Sequence, residues 1–241
     1  MIGKGKSISH GVAALEYDLA KEIDGQAAAT EIARHELYGC TGAEMVQEMK
    51  PYHIDFPNVK NNCLRFEVSP SIEESATFTD ADWAELGNDF MQRMGLANHQ
   101  YIIIRHSGTE SKKEQAHLHI LANRVSLSGE LYRDNWIGKK ATEAANAIAK
   151  ERNFVQSQDI GKVNKAEIKE AMDGVLKKMQ GFDFTKFKEE LGKRGFKVRE
   201  ARASTGKLNG YYVTARSGTE YKASEIGKGY TLAHIERTQS K

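Results

Sequence analysis

Apolar and polar positions alternate with a period of two over Leu64-Arg65-Phe66-Glu67-Val68. Leu64, Phe66 and Val68 fall on one side and Arg65, Glu67 and Ser69 on the other, which predicts a half-buried strand. The same pattern recurs twice further on. Ile102-Ile103-Ile104 runs into Arg105-His106, and in His117-Leu118-His119-Ile120-Leu121-Ala122 the pair Leu118 and Ile120 points to one face while His117 and His119 project together on the other. Between them, Ser107 to Gln115 holds Gly108 and almost no apolar residue, which predicts a loop joining two antiparallel neighbours. Such a hairpin brings His106 beside His117 and His119, so that three imidazoles share one face.

Helical spacing appears elsewhere. After an opening, Met1 to His10, that predicts a short strand or loop, Ser9 can cap a helix whose apolar stripe is Val12, Leu15, Leu19 and Ile23. Tyr17 lies about 140° round from Val12 at the helical angle, so packing on that stripe does not account for it. Residues 27 to 50 predict one or two helices broken at Gly39 to Gly42, and Pro51 and Pro57 mark a loop. Thr79 and Asp80 can cap a helix carrying Trp83, Leu86, Phe90 and Met94, which Gly95 ends. Gly129 and Asn135 mark turns before an alanine-lined helix from Lys140 to Arg152.

From Ile160 to Asn164 the composition turns polar and predicts a linker. Two lysine-rich helices follow, Ala166 to Gln180 and Thr185 to Gly195, with apolar positions at Ile168, Met172, Val175, Phe187 and Leu191. Ser204-Thr205-Gly206 and Ser217-Gly218-Thr219 then separate short strands such as Tyr211-Tyr212-Val213. The fold class read from this order is α+β. An antiparallel sheet flanked by helices occupies residues 1–160, and a basic C-terminal subdomain of helices and a β-hairpin occupies residues 161–241.

Composition narrows the reading. With 241 residues and 39% hydrophobic content the chain can bury a core, as one large domain or a domain plus a subdomain. No run reaches the roughly 18 apolar residues of a membrane helix and no signal pattern opens the chain, so the expectation is a cytoplasmic protein with no membrane insertion. Cys40 and Cys63 stand apart, as small buried hydrophobes rather than a disulfide framework. The net charge of +2 hides an imbalance: residues 1–160 carry 17 Lys/Arg against 23 Asp/Glu, net −6, whereas residues 161–241 carry 18 against 10, net +8. A polyanion is the partner such a basic block would meet.

Neutral imidazole is the commonest metal ligand, and three leave open positions for water or a substrate oxygen. Glu67 can accept the free N–H of a metal-bound histidine from a neighbouring strand, or can be an exposed strand glutamate. The arrangement of His106, His117 and His119 resembles the motif of relaxases, the mobilisation proteins of the HUH endonuclease superfamily that nick DNA at a transfer origin. Asn123-Arg124-Val125 is similar to the family's continuation of this strand. Ala14-Leu15-Glu16-Tyr17-Asp18-Leu19 resembles the segment that carries its nucleophile. Gly3-Lys4-Gly5-Lys6-Ser7-Ile8-Ser9-His10 resembles the start of mobilisation relaxases from Bacteroides-type transferable elements. The connector departs from many members, lacking an Asp two residues after His106 and a Pro just before His117.

The resemblance implies a five-stranded sheet and a divalent ion, Mg or Mn with Zn or Ni as alternatives, held by His106, His117 and His119 over the scissile phosphate. It implies Tyr17 as nucleophile, with Tyr38 and Tyr52 as fallbacks, and nicking and rejoining through a 5′-phosphotyrosine. It implies that the C-terminal region grips the inverted repeat, with Lys197, Arg199, Arg202, Lys207, Lys222 and Lys228 on phosphates and Tyr211, Tyr212 or Tyr230 stacking bases. The implied partners are single-stranded and hairpin DNA at a transfer origin, accessory mobilisation proteins and a secretion-system coupling protein. Two other readings compete. One is a histidine-cluster nucleotide hydrolase, disfavoured because Leu121 stands where a third alternating histidine would fall. The other is an accessory protein that binds an origin hairpin and does no chemistry.

Overall fold

The computed structural model describes residues 1–108 and 115–239, so most of the polar connector, residues 109–114, lies outside the described residues. The chain divides into two units, Met1–Ser157 and Gln158–Lys241. In the first, strand β1 (Ile2–Ile8) leads to helix α1 (Gly11–Leu19), the two-residue strands β2 (Glu22–Ile23) and β3 (Gln26–Ala27), strand β4 (Ala29–His35) and helix α2 (Gly42–Met49). Strand β5 (Cys63–Ser69), the single-turn helix α3 (Ile72–Ser75), helix α4 (Asp80–Arg93), strands β6 (His99–His106) and β7 (His117–Ser126) and helix α5 (Ile137–Glu151) complete it.

The long strands form a five-stranded antiparallel sheet in the order β1-β5-β7-β6-β4. Strands β6 and β7 lie inside because both of their faces are apolar: Ile103, Leu118 and Ile120 pack on one side, Ile102, Ile104 and Leu121 on the other. The first side meets α4 and α5 through Phe66, Trp83, Leu86, Phe90, Ala145 and Ile148. The second meets α1 and α2 through Leu15, Met45 and Met49. Helix α4 starts where its sequence directs, with Thr79 and Asp82 exchanging side-chain and backbone hydrogen bonds as a capping box. In β1, glycines alternate with lysines. A Cβ at Gly3 would lie 2.4 Å from the Ala141 carbonyl oxygen and one at Gly5 would lie 2.8 Å from the Phe66 ring, so the missing side chains let α5 lie close on the strand.

Several expectations are corrected. Ile23 belongs to β2 rather than to the first helix, and the buried side of α1 is Gly11, Ala14, Leu15 and Asp18, leaving Val12 exposed. The helix begins at Gly11, and His10 occupies the cap position without a side-chain hydrogen bond. Residues 29–35 form strand β4, not a helix. Ala-Thr-Glu-Ile-Ala-Arg-His is rich in helix-compatible residues, but its backbone completes the open edge of β6, with a register shift between Glu31 and Ala33. Cys40 is exposed, whereas Cys63 is buried.

The second unit holds most of helix α6 (Ser157–Leu176), then α7 (Phe184–Lys193), strands β8 (Lys197–Arg202), β9 (Leu208–Thr214) and β10 (Glu220–Lys222), the short helix α8 (Ala223–Ile226) and helix α9 (Leu232–Gln239). The three strands pair in the order β10-β9-β8. Ile168, Met172, Val175, Phe187, Leu191, Tyr211 and Val213 make the core, and each fully buried large apolar side chain contributes about 1.5–3 kcal/mol. Residues 160–164 are helical, not a linker. Their polar composition misleads because Asn164 turns inward, donating to Ser217 Oγ at 2.9 Å and to Tyr221 Oη at 3.1 Å.

Candidate functional site

Strand parity sets the first feature of the site. In the β6–β7 register His106 stands opposite His117 and Ile104 opposite His119, so all three histidines share the face of the sheet on which α1 lies. Their ring centroids are 4.4 Å (His106–His119), 4.9 Å (His117–His119) and 5.3 Å (His106–His117) apart. One ligand nitrogen from each can be chosen so that all three lie within 4.8 Å of one another.

Hydrogen bonds aim the rings. His106 donates Nε2–H to the Asp18 carbonyl at 2.8 Å and His117 donates Nδ1–H to the Gln115 carbonyl at 3.1 Å. The second bond leaves the His117 Nε2 lone pair free to face His119 Nε2, 3.1 Å away. His119 Nδ1 receives Nη2–H of Arg65 at 3.3 Å. Two of these rings, His106 and His119, are held neutral. Burial, then the nearby His106, His117, Arg65 and Lys4, pulls His119 down to about 2, and burial likewise lowers His106. Asp18 Oδ1 is 3.8 Å from His119 Nδ1, but a neutral ring makes this no ion pair.

The donor set fits a divalent ion. Two nitrogens bound to one ion at about 2.1 Å lie roughly 3.0–3.4 Å from each other, depending on the coordination angle, and the His117 and His119 Nε2 atoms already stand at 3.1 Å. Because burial disfavours the imidazolium form of His106 and His119, neither ring has to lose its charge before binding an ion.

Asp18 contacts the histidine cluster although sequence patterning did not single it out. It is 1% exposed, and its carboxylate takes both Nε–H of Arg65, at 3.0 Å, and an Nη2–H of the same guanidinium. Its carbonyl holds His106, so one residue of α1 touches two sides of the cluster. The available signal was an Asp beside a polar-face tyrosine, at helical spacing from Leu15. Tyr17, the preceding residue, is 60% exposed, with Lys21 Nζ 5.7 Å from its ring centroid. Glu67 stands opposite His119 in the register, but its carboxylate accepts from Lys4 Nζ at 2.9 Å. Tyr38 is also exposed and gives its hydroxyl to Glu36 at 3.1 Å, an arrangement that raises the phenol's pKa. Tyr52 lies half-buried in a 3-10 turn, Lys50–His53.

In the second unit Arg199, Tyr212 and Lys222 form one cross-strand row on the outer face of the sheet, with the Arg199 guanidinium 3.9 Å from the Tyr212 ring centroid. Arg199 pairs with Glu220 and Arg202 with Glu200. Lys197, Lys207 and Lys228 are exposed. Tyr211 is corrected from a base-stacking position: it is 2% exposed, its ring packs on Phe184 and Phe187 and its hydroxyl donates to the Tyr230 carbonyl. Tyr230 is half-buried, with its own hydroxyl on Asp173.

Residues 17–154 match the family described as relaxase, MobA/VirD2-like, nuclease domain. Among solved structures the chain is similar to the conjugative relaxase TrwC in complex with oriT DNA. The metal-free complex is 10% identical with a TM-score of 0.38, and the metal-bound complex 12% identical with a TM-score of 0.36. Each likeness covers 86% of this chain and 74% of that one. No curated protein matches the chain. No helix among the described residues is long and apolar enough to cross a membrane.

Proposed function

The chain belongs to the MobA/VirD2-like relaxase family, and on that premise we propose that it nicks and rejoins single-stranded DNA at a transfer origin through a covalent tyrosine intermediate. The observation that carries this reading is the convergence of His106, His117 and His119 on one sheet face, locked to the helix that bears Tyr17 by the His106–Asp18 hydrogen bond. When bound there, a divalent ion would neutralise charge gathering on the nonbridging oxygens of the scissile phosphate. An all-imidazole donor set suits a transition ion better than Mg, which prefers oxygen.

Tyr17 is the proposed nucleophile. Its oxygen forms a bond to phosphorus as the bond from phosphorus to the 3′ oxygen breaks, and the phenolic proton is lost as a proton reaches the departing 3′ oxygen. A 5′-phosphotyrosine and a free 3′-OH result, and attack by that hydroxyl reverses the exchange. Tyr38 fits less well, because its raised pKa makes phenolate harder to form. Asp18, rather than Glu67, is the proposed orienting carboxylate: on loading, the single ring proton of His119 would shift from Nε2 to Nδ1, where Asp18 can accept it in a hydrogen bond, and Nε2 would be free for the ion. The outer row of the second unit, Arg199, Tyr212 and Lys222, offers stacking and phosphate contacts for a DNA hairpin.

Full-length protein incubated with Mn and a 3′-labelled degenerate single-stranded oligonucleotide library tests the reading against its competitors. A relaxase gives an SDS-resistant labelled protein. A nucleotide hydrolase gives no protein-linked label but releases phosphate or nucleotide, and an accessory binding protein gives a shifted complex with no cleavage.

A further inference from the structure

The alternation Gly3-Lys4-Gly5-Lys6 does more than let α5 approach. With the glycines turned to the helix, Lys4 and Lys6 project on the opposite face, which is the histidine face: Lys4 stands opposite Glu67, which stands opposite His119, and Lys6 stands opposite Arg65. Lys4 is therefore two strand spacings, roughly 10 Å at the backbone, from His119. A hollow of about 210 Å3 opens between them, lined by Lys4, Lys6, Arg65, Glu67 and His119.

Charge in this hollow is not balanced. Glu67 takes Lys4 at 2.9 Å and Asp18 takes Arg65. Among the described residues Lys6 has no ion-pair partner, although it sits directly across from the Arg65 cation. Like charges opposite one another are destabilising; the Asp18 carboxylate offsets Arg65, and among the described residues Lys6 is the cation of the pair left unneutralised. Lysine on an edge strand also guards against strand addition, but that role does not call for two lysines on this face over a hollow beside the histidines.

Resting on the relaxase reading above, we propose that Lys6 is a phosphate-binding residue: it takes a backbone phosphate of the single strand next to the phosphate held at the histidines. A strand crossing from the cluster toward the β1 edge would then meet one fixed cation in the hollow. Lys4 and Arg65, already neutralised by their partners, would shape the hollow instead.

The test uses the full chain, without metal so that no cleavage intrudes, and fluorescein-labelled dT12 as the probe. Binding is followed by anisotropy across a NaCl series for wild type, Lys6→Gln and Lys6→Arg. Lys6→Gln should weaken binding roughly two- to five-fold and make the slope of log affinity against log salt shallower by about 0.7, the single-strand value for one lost phosphate contact. Lys6→Arg should restore both, which a purely structural role for the lysine would not require. Unchanged affinity and slope in Lys6→Gln overturn the proposal, as does a wild type that does not bind dT12. Covalent capture of the degenerate library by wild type is read separately. If capture occurs while Lys6→Gln binds as wild type, only the Lys6 inference fails. If no capture occurs while the Lys6 effect stands, the relaxase reading fails and a single-strand binding site remains.

Discussion

Asp18 and Arg65 face each other through two hydrogen bonds, the buried carboxylate on a helix and the partly exposed guanidinium on strand β5. Because Asp18 also receives His106 through its carbonyl, and Arg65 donates to His119, this pair ties α1 to the histidine face from both sides. Removing one partner of a buried pair strands the other charge, a loss of 3–5 kcal/mol in full burial. Arg65 keeps some exposure, so Asp18→Ala should cost about 2 kcal/mol. Both tryptophans, Trp83 and Trp136, lie in the first unit. Their fluorescence in a urea titration should show the loss, and an unchanged midpoint would mean that the pair adds nothing to the fold.

Acid should destabilise the same unit. His99, His106 and His119 are all held below the ordinary histidine value, chiefly by burial. In the unfolded chain each ring takes up a proton near pH 6.5, whereas the folded ring does not until lower pH. The unfolded state therefore binds more protons below 6.5, and stability falls as pH falls. For His119, depressed to about 2, the fall continues through most of the acid range, at about 1.4 kcal/mol per pH unit. Urea midpoints should drop from pH 7 to pH 5, and His119→Gln should flatten the drop. Equal wild-type midpoints at the two values would refute the neutral-ring description.

The donor set makes a prediction about metal alone. Mn or Zn added to apo protein should raise the thermal midpoint of the first unit, since a ligand bound only by the folded state stabilises it. His119→Ala should abolish that rise and the heat of binding in calorimetry. Retained binding in this variant would place the ion elsewhere.

In the second unit two adjacent tyrosines should behave oppositely. Tyr211→Ala removes a ring packed on Phe184 and Phe187 and should cost about 3–5 kcal/mol, the range for emptying a large aromatic site. Tyr212→Ala, on the outer face beneath Arg199, should leave the melting curve nearly unchanged and weaken hairpin DNA binding. Circular dichroism melts and gel shifts read the two effects, and a reversal would invert the assigned faces.

The parts of the site carried by strands were legible because period-two alternation settles which side chains share a face. His117 and His119 followed from parity, and His106 from the short polar connector. The rest was hidden for identifiable reasons. Asp18 sits where an apolar residue belongs and is tolerated in the interior only because Arg65 meets it, a partner 47 residues away. Strand β4 has an unremarkable helix-like composition and owes its conformation to the open edge of β6. Glu67 could be read only as a carboxylate on a strand near the histidines or as an exposed strand glutamate; it stands opposite His119, yet Lys4 claims its carboxylate. Tyr211 and Tyr212 differ by one position in a strand, and only the packing of α7 tells which one is inside.

Removal of the Tyr17 hydroxyl alone tests whether this phenol becomes joined to DNA. Wild type and Tyr17→Phe, each incubated with Mn and the 3′-labelled degenerate single-stranded library, are digested after denaturation, and labelled peptides are sequenced. Wild type should yield one DNA-linked peptide containing Tyr17, and Tyr17→Phe should yield none while binding the library with the same affinity. A DNA-linked peptide that persists in Tyr17→Phe, or that maps in wild type to Tyr38 or Tyr52, would contradict the account.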